Sequence, residues 1–311
     1  MRDRVTENEP YTGDDVKVAS SSRTFVARNF TKWYWGLRGF ARQRPVSAFW
    51  LAISVFLILM AISAPLIAPH EPNKPDFLNI KTEPNRSDIF GTDQLGRDYF
   101  SRTIFGARVS LLIAFTSVAL GTAIGGVLGI LGGYLGGTFD LISQRFLEVL
   151  MAVPGLLLAI ILVLSMGAGA SAVIIAIAVT RLPTTSRVLR AETMSIKETQ
   201  YIDSARSIGA SPLRVMIVHV APQTVASFIV IFTASLGTAI LTEASLGFLG
   251  LGIAPPTATW GGMLGEAAVT LIPDWWMVLF PGMFITLTVL AFNLFGDGLR
   301  DVLDPRARGR I

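Results

Sequence analysis

The apolar residues of this chain come in blocks, not at the scattered spacing of a folded water-soluble core. Val46 to Ala68, Leu111 to Leu131, Leu156 to Thr180, Val215 to Leu241 and Trp275 to Phe295 each run without an Asp, Glu, Lys or Arg. Each is long enough to cross a hydrocarbon layer of roughly 30 Å, which takes about 20 helical residues. The apolar stretch between about Asp140 and Arg181 is too long for one crossing. Ser165-Met-Gly-Ala-Gly-Ala-Ser171 divides it, because small residues there suit a tight turn, and a sixth crossing is expected on that ground. The pattern predicts an all-α, polytopic membrane protein with about six transmembrane helices.

Composition agrees with that pattern. Of the 311 residues, 51% are hydrophobic and 15% charged, against roughly 25% charged in an average soluble domain. The chain has no cysteine, which excludes disulfide and thiolate-metal chemistry. The first 45 residues are polar and the first apolar block is full length, so that block is expected to stay as an anchor and not to be a cleaved leader. The net charge of +4 is no sign of nucleic-acid binding, because the basic residues sit where membrane topology places them.

Positive residues gather on cytoplasmic segments. Nine Lys and Arg residues precede the first block, six lie from Arg181 to Arg214, and four follow from Arg300 onward. Six crossings put all three groups on one side, which predicts both termini in the cytoplasm. The loop from Leu246 to Asp274, on the other side, has no Lys or Arg. Pro69 to Arg108 would face the same way. Its six basic and six acidic residues balance, as in a folded loop. The expected organisation is a cytoplasmic tail at 1–45, a first span at 46–68, an extracytoplasmic loop at 69–108, a membrane core at 109–298 and a cytoplasmic tail at 299–311. Residues 1–22 read as disordered, and Phe25 to Arg44 suits a helix in the inner interface or an aromatic and basic flank of the first span.

Two segments carry more specific signals. Gly121, Gly125, Gly129, Gly133 and Gly137 form a ladder at spacing four, which lets another helix approach closely; tight packing or a hinge would both use it. The second is Tyr201-Ile-Asp-Ser-Ala-Arg-Ser-Ile-Gly-Ala-Ser-Pro-Leu-Arg214. Tyr201, Ala205 and Ile208 predict one face of a two-turn helix. Gly209 suits a left-handed stop, and Ser211-Pro212 reads as a cap and first position of the next helix.

In that loop the chain resembles permease subunits of binding-protein-dependent ABC importers. Their signature has Glu-Ala-Ala, three residues, Gly, nine residues, Ile, one residue, Leu-Pro. Here Asp203-Ser204-Ala205, Gly209, His219, Ala221 and Pro222 stand in that register. His219 and Ala221 depart from the general pattern, although His at this point looks like the peptide-transporter branch. Phe90-Gly-Thr-Asp-Gln-Leu-Gly-Arg-Asp-Tyr-Phe-Ser-Arg102, Glu243-Ala-Ser-Leu-Gly-Phe-Leu-Gly-Leu-Gly252 and Asn293-Leu-Phe-Gly-Asp-Gly-Leu-Arg300 resemble the shorter permease of dipeptide and oligopeptide importers. The likeness covers about residues 45 to 306.

The resemblance implies the type I ABC importer permease fold, in the cytoplasmic membrane of a prokaryote. It implies half of a translocation pathway for di- or oligopeptides working by alternating access, with nickel chelates, glutathione or sugars as alternative cargo. It also implies a coupling helix in loop 198–214, with Asp203, Ser204, Ala205, Arg206, Ile208 and Gly209 meeting an ATPase. Implied partners are a related second permease, two P-loop ATPase subunits that bind ATP and Mg2+, an extracytoplasmic binding protein, and lipid. The chain itself has no Gly-x-x-x-x-Gly-Lys-Ser/Thr, so no nucleotide site and no bound cofactor are expected of it.

Glu243 and Glu148, close to or within apolar surroundings, are candidates for translocation or gating. Asp93, Arg97 and Asp98 could form an ion-pair network that holds the outer loop. Trp260, Trp275 and Trp276 are expected in the outer aromatic belt. His70 and His219 should lie on opposite membrane faces, so no metal site is expected. An ion-coupled secondary transporter would show inverted repeats and midplane charges, and no second copy of any segment is visible. An intramembrane serine hydrolase would need a base beside its nucleophile, and His219 has no nucleophile elbow nearby.

Overall fold

A computed structural model describes Arg42 and residues 44–269 and 273–303. The disordered segment and interfacial helix expected before Arg44, and the tail beyond Leu303, lie outside the described residues apart from Arg42. Those described are helical or irregular, and no strand is present among them. Five helices are long and apolar enough to cross a membrane: α1 (Pro45–Ile62), α2 (Tyr99–Leu135), α5 (Ala170–Lys197), α7 (Pro212–Phe248) and α9 (Trp275–Leu303). Between them lie α3 (Gly137–Met151), α4 (Gly155–Met166), the two-turn α6 (Gln200–Ser207) and α8 (Trp260–Ala268).

The glycine ladder decides how these helices are arranged. A Cβ on Gly121 would meet Ala178 O at 2.5 Å, one on Gly125 Leu182 O at 2.8 Å, one on Gly129 Ser186 O at 2.5 Å, and one on Gly133 Arg190 O at 2.7 Å. The α2 backbone therefore lies directly on the α5 backbone, which a side chain at any of these positions would prevent. The partner position advances with the glycine position, so α2 and α5 run parallel. Parallel neighbours require the chain to return between them, and α3 with α4 makes that return. Asp140, at the start of α3, pairs with Arg190. Gly167 and Gly169, at φ 87° and 156°, turn α4 back into α5. The sixth crossing is thus a bent pair, with 93° between α3 and α4 and Pro154 at the break. Gly137 is not part of the ladder: it opens α3 at φ 58° with nothing within 4 Å of its missing Cβ.

Helix boundaries differ from the sequence reading at several places: α1 ends at Ile62, the run Leu156 to Thr180 is split between α4 and α5, and α9 runs on to Leu303. α2 begins at Tyr99, ten residues inside the segment expected as loop, because the Asp98 side chain caps it by accepting from Ser101 N at 3.0 Å. α5 continues well past the apolar block to Lys197, so Arg181, Arg187 and Arg190 are helical and not loop residues. α7 starts with a π-helical stretch over Val215–Val220 just ahead of Pro222, which has no N–H for an α-helical ladder. The core gathers α1, α2, α4, α5, α7 and α9 around Leu57, Val118, Val173, Ile177, Ile240 and Phe292.

The packing predicts that Gly129→Leu costs ~1–3 kcal/mol by overpacking, seen as a lowered unfolding midpoint in detergent. Gly282, in α9, has open space around its missing Cβ. Gly282→Ala is expected to leave that midpoint unchanged or raise it slightly.

Candidate functional site

At one end of the bundle α5, α6 and α7 make a sharp corner. Ile202 and Ala205 of α6 are buried against Tyr134, Ile196, Val215 and Val220, so two apolar positions three apart hold the short helix down. This is not the face expected from spacing: Tyr201 and Ile208 point outward, Ile208 at 87% exposure. A two-turn helix offers too few positions for periodicity to identify its buried side. Gly209 takes φ 86°; its N–H donates to Arg206 O at 2.9 Å and the Ala210 N–H to Ala205 O at 3.2 Å, a Schellman closure. Ser211 then caps α7 by accepting from Arg214 N at 3.4 Å, with Pro212 in the first position.

Cations secure this corner to the end of α2. Lys197 Nζ donates to Tyr134 O at 2.7 Å, one of the carbonyls a helix leaves without a partner at its C-terminus. The Arg206 guanidinium lies 5.6 Å from the centre of the Tyr134 ring. Tyr201 and His219 hydrogen-bond to each other across the turn. Asp203, Ser204, Arg206, Ile208 and Gly209 are exposed, while Ala205 is buried. Among the described residues Asp203 pairs only with Arg206, at 3.6 Å on the surface.

At the opposite end the loops before α2 and after α7 are joined by charge. Asp93 accepts from Arg97 at 2.6 Å and lies 3.3 Å from Arg102, while Glu266 meets Arg97 at 3.0 Å and Arg102 at 3.1 Å. Asp93 and both arginines are buried. Asp98 is not a member of this cluster: it caps α2 and lies 3.5 Å from His70. Sequence reasoning missed Arg102 and Glu266. One signal existed, because Glu266 and Asp274 sit in a loop without cations and had to find them elsewhere. Asp274 finds Lys81 at 3.2 Å. Trp260 and Trp276 are buried, with Trp260 Nε1 donating to Thr103 O and Trp276 Nε1 to Thr92 O. They pack the interior, contrary to the aromatic-belt expectation; Trp275 is exposed.

The two remaining candidates are far apart in character. Glu243 is 2% exposed on α7; it hydrogen-bonds Ser110, and its Oε2 has no hydrogen-bond partner. Glu148 is half-exposed on α3 and pairs with Arg145 at 2.8 Å. No cluster of His, Asp or Glu suited to a metal occurs among the described residues.

The family described as binding-protein-dependent transport system inner membrane component matches residues 125–309. The chain belongs to that family. Among its relatives, this permease is 45% identical over 280 residues to a glutathione transport system permease protein GsiD of Escherichia coli O1:K1 / APEC. The match takes in 90% of this chain and 92% of the relative. The protein of the same name from Shigella boydii serotype 4 (strain Sb227) matches to the same extent. Two solved structures of inward facing conformations of the MetNI methionine ABC transporter share the fold. Their TM-scores are 0.53 and 0.54 at 18% and 16% identity, over 65% and 66% of the permease and 96% and 97% of those chains. The protein is thus a multi-pass inner-membrane permease of the ABC importer type, a component of a transport system.

Asp93→Ala would leave two buried guanidinium groups facing one carboxylate. It is expected to cost ~3–5 kcal/mol and to expose the 69–98 loop to protease. Glu148→Ala, on the surface, should change stability by no more than about 0.5 kcal/mol, leaving the unfolding midpoint nearly unmoved.

Proposed function

We propose that this permease forms one half of an ATP-driven import pathway for peptide-class solutes, glutathione included. The observation that carries this reading is the 45% identity to glutathione permeases over 90% of the chain. The permease lacks a P-loop, so the energy must come from partners: two ATPase subunits that bind ATP and Mg2+. A related second permease completes the pathway, and an extracytoplasmic binding protein delivers cargo.

The corner suits the docking role. α6 is short, pinned by Ile202 and Ala205, and closed by Gly209, so force on it reaches α5 and α7 without bending the connection. Exposed Ile208, Tyr201 and Leu213 offer an apolar contact, and Asp203, Ser204 and Arg206 a polar rim. In this arrangement α6 and both termini face the cytoplasm, and the 69–98 and 249–274 loops face the binding protein. The absence of Lys and Arg between Leu246 and Asp274 supports that orientation. ATP-driven closure of the ATPases draws the two corners together, and the cavity between the permeases switches from inward to outward opening.

The test is reconstitution of the native complex in vesicles with its binding protein. ATP-dependent uptake of glutathione or a tripeptide is expected, and uptake driven by an ion gradient alone would contradict the proposal. Ile208→Asp places a charge in the docking contact and should lower ATP-dependent uptake by about tenfold or more. The unfolding midpoint should not change, because Ile208 is not part of the core.

A further inference from the structure

Arg181 is a cation inside the membrane-spanning length of α5. It lies about 17 Å from the start of that helix, and Thr238 about 15 Å from the end of α7, at 1.5 Å per residue. Both distances run from the same end of the bundle, so the two residues share a depth near the middle of a roughly 30 Å layer. Arg181 Nη1 donates to Thr238 Oγ1 at 2.9 Å and Nε to Thr180 Oγ1 at 3.3 Å. No carboxylate of the described residues pairs with it. Glu243, a turn and a half further along α7, is buried against Ser110.

Such a charge costs ~2.5–3.5 kcal/mol at the centre of a helix inserted in lipid, and these residues face bundle interiors or water-filled paths. Its surroundings point the same way. Gly121 makes room for its stem, since a Cβ there would come within 2.9 Å of Arg181 Cβ. On α7, Ser235, Thr238, Thr242 and Ser245 follow at helical spacing along one side, and each keeps some exposure. Thr184, one turn on from Arg181, is exposed as well. Thr238, Thr242 and Ser245 donate their hydroxyl protons to the preceding turn, which leaves the oxygens as acceptors. Two of the five guanidinium N–H donors are occupied by threonines, and the rest are free for a planar anion. A carboxylate is the partner that a guanidinium fork fits with two parallel hydrogen bonds.

We propose that Arg181, oriented by Thr180 and Thr238, is a carboxylate-binding station in the translocation pathway that engages the terminal carboxylate of the passing solute. The station rests on the peptide-class reading above. Its contact is to one end of the solute and independent of side chains, as a path serving varied sequences needs.

The experiment uses the complete importer complex in vesicles, with tri-alanine and its C-terminal amide as probes. Modification of Arg181 by phenylglyoxal, read by mass spectrometry, should be slowed several-fold by tri-alanine and not by the amide. Equal protection by both probes, or an Arg181 that the reagent does not reach, would overturn the proposal. Arg181→Gln should lower ATP-driven tri-alanine uptake about tenfold, the loss expected for one charge-assisted contact. Arg181→Lys should recover part of that loss. Full uptake by Arg181→Gln would also overturn it. Should Arg181→Gln fail to assemble, Thr238→Val takes its place, with a smaller loss expected and unchanged uptake ruling the station out. Failure of the wild-type complex to import either tri-alanine or glutathione would instead sink the peptide-class reading, and labelling protection still judges the station separately.

Discussion

Everything in the bundle depends on the backbone contact between α2 and α5. Four glycines at spacing four remove the side chains that would hold two helices 8–10 Å apart, and the carbonyls of α5 occupy the space. Lipid supplies no hydrophobic drive between helices, so close packing of this kind is a main source of their association. The contact also dictates topology, because parallel neighbours force α3 and α4 to cross between them. It sets chemistry too: Gly121 leaves room for the stem of Arg181, and the guanidinium then reaches Thr238 on α7.

The two ends of the molecule are built on different physics. The end carrying the 69–98 loop and α8 is held by largely buried charge, with Asp93, Arg97, Arg102 and Glu266 paired with one another. A buried cluster of that sort punishes the loss of any member, which keeps two distant loops in one register. The other end is held by a few apolar contacts and by helix-end chemistry: Lys197 on the carbonyl of Tyr134, the Schellman closure at Gly209 and the cap at Ser211. Rigid loops suit a surface that must recognise a partner repeatedly, and a stiff, shallow corner suits one that must be pushed.

Four crossings were legible because nothing but a membrane span explains 20 residues without a charge; the fifth such run, Leu156 to Thr180, is shared between the end of α4 and the start of α5. Their ends were not. Arg102 looked like loop because charge marks loops, yet its partners Asp93 and Glu266 come from elsewhere in the chain and take it inside. Arg187 and Arg190 looked like loop for the same reason, although a helix that leaves the membrane has no need to stop, and so did Arg181, which lies within the spanning length of α5. The sixth crossing could be inferred from length alone, and its bend at residues 152–154 had no signal beyond Pro154. The buried side of α6 was misread because Ile202 and Ala205 face Tyr134, a residue that local spacing cannot reveal. Arg97 and Asp93 were legible as a pair at spacing four, but Asp98 was drawn away by the helix end beside it.

The account ties transport to one small exposed surface, so the most direct measurement places a photoactivatable cross-linking residue at position 208 in the intact membrane. A single dominant adduct with an ATP-binding subunit is expected, with a yield that changes when nucleotide is added. Adducts with lipid alone, or with a second copy of this chain and no ATPase, would contradict it.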